Sequence, residues 1–430
     1  MSIAKAASLA GAVVPTEVAV TPGGPASVVP LIIGLASAAL AMVCTFQGVQ
    51  QVLIPDQVQQ IDAAHKVGDL ALLTTIAAAL AVVGSVAGGA LSDRTHSRFG
   101  RRSPWLVGMA VISTGLMIVA GTAHNLAVIA VVYAALWFCM NFYQSVLNAI
   151  IPDRVSERHR GVVSSAFGLG GALGLGLGVN AVVHLTIEQG YMVLAGLLIV
   201  TTALCVVLVR EGSLPDLAAP ATSAAAAPRQ TRLSLFQPFR HRDFTLAFVT
   251  RAASFMALAT VAGYTFYILQ DHIGAANLPG HNVKGAVGIL VVTQMVAWIV
   301  GVAAAGWLSD RLNRRKLFVG ICSLGTAAAM LVPLLAPTWT GMLVFYALVG
   351  VFFGAYLAVD LALMTLVLPT RENEGRDLAV LSIANAGPQL LSPAISATII
   401  SLAGYDALFW FGLVVSLLAG VAVFFIRSVR

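Results

Sequence analysis

Long apolar runs fill most of the chain, and their length constrains the fold more than any other feature. Twelve stretches of roughly 20 mostly apolar residues follow one another, separated by charged loops. In hydrocarbon an unpaired backbone group costs several kcal/mol, so a spanning segment must be a helix or part of a closed barrel. Continuous apolar runs favour helices, because barrel strands alternate with a period of two. The sequence therefore predicts an all-α membrane protein with twelve transmembrane helices.

The charge content supports this prediction. Only 10% of the 430 residues are charged, whereas a soluble domain carries about 25%. The predicted spans cover residues 31–54, 69–91, 104–122, 126–151, 161–184, 191–209, 243–270, 285–308, 316–336, 339–368, 378–402 and 406–426.

The distribution of lysine and arginine predicts the orientation of the spans. With both termini in the cytoplasm, 21 of the 24 Lys and Arg residues fall in cytoplasmic segments. The predicted outer loops contain only Lys66 and Lys284, and Arg251 is left inside a span. Because cytoplasmic loops carry the excess of basic residues, this imbalance predicts a multi-pass protein of the cytoplasmic (inner) membrane with both termini inside. The arginines lie in short loops between apolar runs, which favours a role in setting the orientation of the spans over a nucleic-acid-binding surface. No nucleic-acid partner is therefore expected.

An internal repeat divides the chain into halves. The segment Gly89–Arg94 recurs as Gly306–Arg311, and Pro152 recurs as Pro369, both 217 residues later. Parallel repeats around a site at the membrane midplane are a known transporter architecture. The repeat predicts two pseudo-symmetric six-helix bundles, residues 30–210 and 243–430. A disordered cytoplasmic tail (1–29) precedes them and a cytoplasmic linker (211–242) joins them, and the basic, apolar end of that linker either lies on the inner leaflet or is ordinary linker.

The loop after the second span carries the most specific motif. Residues 89–102 read GALSDRTHSRFGRR, which resembles the signature G-x-L-[SA]-D-R-x-x-x-R-x-G-R-[RK] of the major facilitator superfamily. The second copy, residues 306–316, is shorter. The resemblance covers residues 30–428 and implies the major facilitator fold, with spans 1, 4, 7 and 10 lining a central cavity.

A finer resemblance links the chain to one branch of this superfamily. The SRFGRRSPW stretch at 97–105, IPDR at 151–154 and the segment 378–393 are similar to the glycoside–pentoside–hexuronide:cation symporters and the sucrose–proton symporters. This resemblance implies cation-coupled uptake of a sugar or glycoside. Melibiose-type members carry paired acids on the second span, whereas residues 70–91 contain no carboxylate. Proton coupling is therefore expected in preference to sodium coupling.

The motif residues predict a conformational latch. Carboxylates and arginines at the cytoplasmic helix ends pair only when those ends are close, which is expected in the outward-open state. The alternative is that the arginines only set topology. The predicted latch residues are Gly89, Asp93, Arg94, Arg98, Arg101, Arg102, Asp310 and Arg311.

Two intramembrane charges give the main functional hypothesis. Arg251 and Asp360 lie about 12 Å and about 13.5 Å from the cytoplasmic ends of their spans, at 1.5 Å per residue. Charges inside spans are costly and usually functional. The resemblance places the two residues face to face in the cavity. We expect Asp360 to take up the coupling proton, and we expect Arg251 to tune the pKa of Asp360 or to hold an anionic or hydroxyl-rich substrate. The alternative is a static buried ion pair that holds spans 7 and 10 together.

Polar side chains in the spans are the candidate substrate ligands. Amides and aromatic rings suit a sugar, because hydroxyls need hydrogen bonds and the sugar ring needs a flat face. For each residue, interhelical hydrogen bonding is the alternative role. The candidates are Gln47, Gln50, Gln51, Asn141, Tyr143, Gln144, Tyr264, Gln294, Trp298, Tyr356, Asn385 and Gln389.

These observations predict a monomeric secondary transporter, a proton-coupled symporter of a sugar, glycoside or similar small polar solute. An exporter of drugs or secondary metabolites on the same fold is the first alternative. A non-transporting membrane sensor or scaffold is a further alternative. It would need a sizeable soluble output domain, and no segment of this sequence is large enough to form one. No enzyme activity, metal or cofactor is expected, since no nucleophile–base set, metal motif or phosphate loop occurs.

Overall fold

The computed structural model describes residues 28–95, 97, 99–209, 239–312, 315–367 and 374–426. Within these ranges the chain forms twelve helices that are long and apolar enough to cross a membrane, and no strand. They are α1 (Val28–Ile61), α2 (Lys66–Arg94), α3 (Ser103–Thr122), α4 (Leu126–Arg154), α5 (Glu157–Asn180), α6 (Ile187–Val209), α7 (Arg242–Ala262), α8 (Val283–Leu312), α9 (Arg315–Leu335), α10 (Trp339–Val367), α11 (Glu374–Ala403) and α12 (Asp406–Phe424). The predicted all-α fold with twelve spans is confirmed.

Helix packing repeats between the first six helices and the last six. In the N-terminal half α1 packs on α5 and α6, α2 on α4, and α3 on α4 and α6. In the C-terminal half α7 packs on α11 and α12, α8 on α10, and α9 on α10 and α12. The two halves meet where α2 packs on α11 and α5 on α8. The domain boundaries drawn from the sequence stay a prediction, and the tail and linker lie outside the described residues except for 28–29 and 239–242.

The outward faces of the helices are apolar. Large side chains such as Val86, Val131 and Leu402 are 68%, 71% and 81% exposed. A soluble monomer rarely exposes such a continuous apolar surface. In a bilayer these side chains contact lipid acyl chains, which are equally apolar, so they are not exposed to water.

Glycines allow the closest helix contacts. A Cβ on Gly174 of α5 would lie 2.6 Å from the Leu40 carbonyl oxygen of α1. Gly170 and Gly178, one turn away on either side, meet Ala36 and Cys44 of α1 just as closely. The spacing of small residues every four positions therefore serves close helix packing, as expected for membrane helices.

Two π-helical turns lie at matching places in the halves. Residues Val49–Leu53 form one within α1, and Ile268–Gly274 form the other beyond the end of α7. The seventh span, predicted as one helix over 243–270, ends as an α-helix at Ala262 and continues through Thr265–Tyr267 into the π turn. A π turn shifts the backbone register and redirects the chain locally.

Candidate functional site

A buried charge network joins three spans of the C-terminal half. Arg251 Nη1 on α7 lies 2.6 Å from Asp360 Oδ2 on α10. The Nε–H of Arg251 donates to Asn385 Oδ1 on α11 over 2.6 Å. The structure therefore brings together the two intramembrane charges and one of the predicted amides. Their functional roles remain predictions.

The two ends of this network differ in burial. Asp360 is 1% exposed, and the side chain of Arg251 is 13% exposed. The Arg251 guanidinium carbon lies 5.8 Å from the centre of the Phe255 ring, within the range of a cation–π contact. Asp360 Oδ1 has no hydrogen-bond partner among the described residues. The guanidinium is therefore the more accessible end of the network.

Most of the predicted amides of the other spans form no side-chain hydrogen bond with another described residue. Asn141 donates to the Trp137 carbonyl on its own helix over 2.9 Å. Trp298 packs edge to face on Phe353, with ring centres 6.0 Å apart. The glutamines form no side-chain hydrogen bond with another described residue, and they are either half-buried (Gln47, Gln51, Gln144 and Gln294) or exposed (Gln50 and Gln389).

Three tyrosines from the same prediction are buried in packing contacts. The Tyr143 hydroxyl hydrogen-bonds Thr202 Oγ1 at 2.9 Å, inside the N-terminal half. Tyr264 donates to the carbonyl oxygens of Val67 and Pro393, at 3.2 and 3.1 Å. Tyr356 is 1% exposed. In this conformation Tyr143 and Tyr264 serve helix packing, because a hydroxyl in a bundle is stabilised by an interhelical partner, whereas the Tyr356 hydroxyl has no partner among the described residues.

At the predicted cytoplasmic end of the N-terminal half, Arg102 joins three helices. Its Nη2 lies 2.7 Å from Asp93 Oδ1 on α2 and 2.9 Å from Asp153 Oδ2 on α4. It also donates to the Ser92 hydroxyl. The side chain is 5% exposed, whereas Arg101, 2.9 Å from Asp93, is 45% exposed.

The remaining latch candidates contribute less to the described geometry. Gly89 faces α4, where a Cβ would lie 3.5 Å from Ser145 Oγ. Arg94 and Arg311 lie in the last turns of α2 and α8 at exposed positions. Arg98 and the side chain of Asp310 lie outside the described residues. The pairs seen for Asp93 are made within the N-terminal half.

Two ion pairs join the halves at the predicted outer end. Lys66 Nζ, at the start of α2, lies 2.8 Å from Asp271 Oδ1 in the second π turn. Lys284 Nζ, at the start of α8, lies 2.6 Å from Asp56 Oδ2 on α1. Each half supplies one lysine and one aspartate, so the two pairs are reciprocal. We call these four residues the outer ion-pair set.

Tyrosine hydroxyls reinforce the outer ion-pair set. Tyr267 donates to the Pro55 carbonyl over 3.0 Å, and its ring lies 5.0 Å from Lys66 Nζ. Tyr405 donates to Asp271 Oδ2 over 2.7 Å. Burial raises the pKa of the Tyr405 phenol above its ordinary value, so the hydroxyl stays a donor. The outer end is therefore closed in this structure.

The sequence reasoning missed the outer ion-pair set. Lys66 and Lys284 served only to assign topology. Lys66 follows Asp56 by 10 residues, and Lys284 follows Asp271 by 13 residues at the equivalent place in the second half. That repeated Asp–Lys order was the available signal. Asp153 was likewise read only as part of a family motif.

A twelve-helix bundle with repeated halves, a buried charge pair at mid-depth and one closed end defines the class of membrane transporters. The family model of the Major Facilitator Superfamily matches residues 35–280 and 280–430. The chain belongs to the Major Facilitator Superfamily.

Solved structures show the same fold. A bacterial homologue of the human lysosomal transporter Spinster, in an inward-facing and unoccupied conformation, superposes with a TM-score of 0.63 at 12% identity, covering 93% of this chain and 94% of that chain. A mutant of the nucleoside transporter NupG gives a TM-score of 0.69 at 12% identity, covering 92% and 98%.

A curated relative matches part of the sequence. The MFS transporter asaE of Aspergillus flavus is 25% identical over 179 residues, which are 42% of this chain and 38% of the relative. The alignment thus spans well under half of each protein.

Proposed function

We propose that the protein is a proton-coupled symporter of a sugar, glycoside or similar small polar solute, working by alternating access. The observation that carries this proposal is the network of Arg251, Asp360 and Asn385 at mid-depth of the C-terminal half, with Arg251 Nη1 2.6 Å from Asp360. Asp360 takes up the coupling proton and Arg251 contacts the solute.

The energetics of buried charge support a functional pair. Replacing a buried ion pair with apolar residues of similar volume is often neutral or stabilising by about 1–4 kcal/mol. An ion pair is therefore a poor choice for holding α7 and α10 together. Protonation of Asp360 removes its charge and frees Arg251 for a hydroxyl-rich or anionic solute. This linkage couples solute binding to proton uptake.

The supply of uncommitted amides supports a polar solute. Gln47 and Gln51 on α1, Gln144 on α4 and Gln294 on α8 are half-buried without a described partner. Amides of this kind hydrogen-bond sugar hydroxyls, and the SRFGRRSPW motif resembles sugar symporters. Since α2 has no carboxylate between residues 70 and 91, the proton is the proposed coupling ion.

Alternating access requires the outer end to open. In the proposed cycle the outer ion-pair set and Tyr264 separate when the protein faces outward, and the cytoplasmic ends with Asp93 and the motif arginines then come together. We place the protein in the cytoplasmic membrane with both termini inside, because the basic residues concentrate in the loops of one side. A monomer is the proposed state because it is the default for this fold.

Export of drugs or secondary metabolites is the second candidate. Aromatic rings lie near the charge network: Phe255 beneath Arg251, and Phe353 between Trp298 and Tyr356. An aromatic surface of this kind binds flat lipophilic compounds.

The proposal is tested by uptake into proteoliposomes from a panel of labelled sugars and glycosides, with and without an inward proton gradient. We expect gradient-driven accumulation of at least one compound, and its loss in Asp360→Asn, which keeps the shape but cannot be deprotonated. Asp62→Asn, an equally conservative change of an exposed loop carboxylate, is the matched control and is expected to accumulate normally.

Two results would count against the proposal. Accumulation retained by Asp360→Asn would make the pair structural. No accumulation of any panel compound by folded wild-type protein would favour export, and lipophilic compounds would be tested next.

A further inference from the structure

A small cavity lined with hydroxyl groups lies inside the C-terminal half. It lies between α7, α9, α10 and α12 and is too small to hold a water molecule. The ring of Phe353 forms one wall. Every hydroxyl-bearing residue of the lining is at least nine-tenths buried. These residues, here called the hydroxyl pocket, are Ser254, Ser323, Thr326, Tyr356 and Ser416.

Most of these hydroxyls lack a partner. Those of Ser254, Ser323, Tyr356 and Ser416 form no hydrogen bond with any described residue. Asp360 Oδ1 is also unpartnered within the described chain. Buried polar atoms are hydrogen-bonded in the great majority of cases, and each exception requires an explanation. The Tyr356 hydroxyl lies beside the Asp360 carboxyl, and two such unpartnered oxygens next to each other indicate a site for an exchangeable hydrogen.

Tyr356 connects the hydroxyl pocket to Asp360. It precedes Asp360 by four residues on α10, so the two side chains lie on one face of the helix. Its hydroxyl lies beside both the Asp360 carboxylate and the Ser254 hydroxyl, without an aligned hydrogen bond to either. The ring is stacked on Phe353, with centres 5.7 Å apart and planes 19° apart. Stacking fixes the ring and leaves the hydroxyl hydrogen free to rotate.

The carboxylate of Asp360 therefore has two distinct sides. Oδ2 accepts from Arg251, whereas Oδ1 has no bond. A hydroxyl both donates and accepts, so Tyr356 suits an ionised and a protonated partner equally. Among the described residues the titratable groups that face Asp360 are Arg251 on α7 and Tyr356 on α10. The neighbouring helix α11 contributes the neutral amide of Asn385.

We infer that Asp360 Oδ1, with the hydroxyl pocket, is the binding site of the transported proton. In the protonated state the new O–H bond is on Oδ1 and donates to the Tyr356 hydroxyl, which in turn donates to Ser254. In the ionised state the Tyr356 hydroxyl turns and donates to Oδ1. Tyr356 and Ser254 are positioning residues that act through Asp360, while the solute meets Arg251 on the other oxygen. The inference rests on the proposed function.

Infrared difference spectroscopy tests this assignment with the proton itself as the probe. Spectra of the full protein in liposomes are recorded between acid and alkaline pH, and the carbonyl band of the protonated carboxyl is identified by its loss in Asp360→Asn. In Tyr356→Phe, which keeps the stacked ring, we expect that band to shift to higher frequency because the carboxyl has lost a hydrogen-bond partner. Ser254→Ala should give a smaller shift in the same direction.

The control removes a tyrosine hydroxyl elsewhere on α10. Tyr346 is buried and hydrogen-bonds Thr265, away from Asp360, so Tyr346→Phe should leave the band unmoved. An Asp360 band that Tyr356→Phe and Ser254→Ala both leave in place would overturn the inference and leave proton-coupled transport standing. The absence of any band lost in Asp360→Asn would overturn the inference and the proposed role of Asp360 together, while uptake by the wild type would still be judged separately.

Discussion

Single arginines of the motif loop differ in what they contact. Arg102 is almost fully buried between Asp93 and Asp153, at 2.7 and 2.9 Å. Arg101 makes one ion pair with Asp93 while nearly half exposed. Removing Arg102 breaks charged hydrogen bonds that are shielded from water on the arginine side, whereas the exposed pair of Arg101 is screened by water. The two neighbouring arginines are therefore expected to contribute differently to the free energy of unfolding.

Substituting these arginines should separate their roles. We expect Arg102→Ala to lower the free energy of unfolding by about 1.5–3 kcal/mol, since Asp93, Asp153 and Ser92 lose a charged hydrogen-bond donor. Arg101→Ala, the matched control one residue away, should cost less than about 1 kcal/mol. Thermal unfolding of purified variants in detergent measures both. Equal losses in the two variants would contradict the burial argument.

At this scale the sequence predicted the charge pair and missed its surroundings. Arg251 and Asp360 were found because they are the only charges deep in the spans, and their matching depth predicted contact. Ser254, Ser323 and Ser416 carried no such signal, because serine is common in membrane helices and its burial depends on tertiary packing. Asn385 was one amide among several until the fold placed it beside Arg251.

Among the helices, α5 shows how small residues position an element. The face with Gly170, Gly174 and Gly178 lies directly on the α1 backbone, and this contact sets how α1 presents Gln47 and Gln51. Gly168 lies on another face, where a Cβ would meet no atom within 4 Å. The same residue type on one helix therefore has two different roles.

Alanine scanning of these glycines should reveal the packed face. Gly174→Ala places a Cβ 2.6 Å from the Leu40 oxygen, and overpacking of this kind costs about 1–3 kcal/mol. Gly168→Ala should be neutral or stabilising by up to about 1 kcal/mol, because alanine favours helices. Melting temperatures in detergent provide the comparison, and destabilisation by both substitutions would argue against a face-specific role.

Helix number and close packing were predictable, whereas the π turns were not. The span boundaries follow from apolar length, and the four-residue glycine spacing marks a contact face without knowledge of the partner helix. A π turn needs one additional residue per turn and leaves no compositional mark, so Val49–Leu53 was read as continuous helix. The break after Ala262 is a separate turn at Gly263 and Tyr264, and it lies inside an apolar run that was long enough to be one span.

Across the whole molecule, the outer ion-pair set links the two halves symmetrically. Each pair uses a residue from both halves, and all four side chains are no more than 31% exposed. The set therefore stabilises the state in which the outer end is closed. A protein that alternates between two states needs such contacts to be breakable at modest cost.

Removing one carboxylate should shift this equilibrium. We expect Asp56→Asn to raise the population with an open outer end about tenfold, the effect of losing roughly 1.4 kcal/mol from the closed state. Distances between spin labels on the α1–α2 and α7–α8 loops measure the population. Asp62→Asn is the control and should not change this population, because Asp62 bonds Ala64 and His65 within its own α1–α2 loop.

A charge exchange provides the stricter form of this test. Asp56→Lys combined with Lys284→Asp restores the pair in reverse and should recover the closed population that either single substitution loses. A double variant as open as the singles would show that the closed end does not depend on this ion pair.

The central claim is that Asp360 couples solute movement to proton movement, and proton flow is its most direct readout. Solute is added outside proteoliposomes that have no imposed proton gradient, and the pH of the external medium is followed. The account predicts that the medium becomes alkaline with the wild type, as protons enter with the solute, and that Asp360→Asn admits solute down its gradient without any pH change. A pH change in Asp360→Asn equal to that of the wild type would contradict the account.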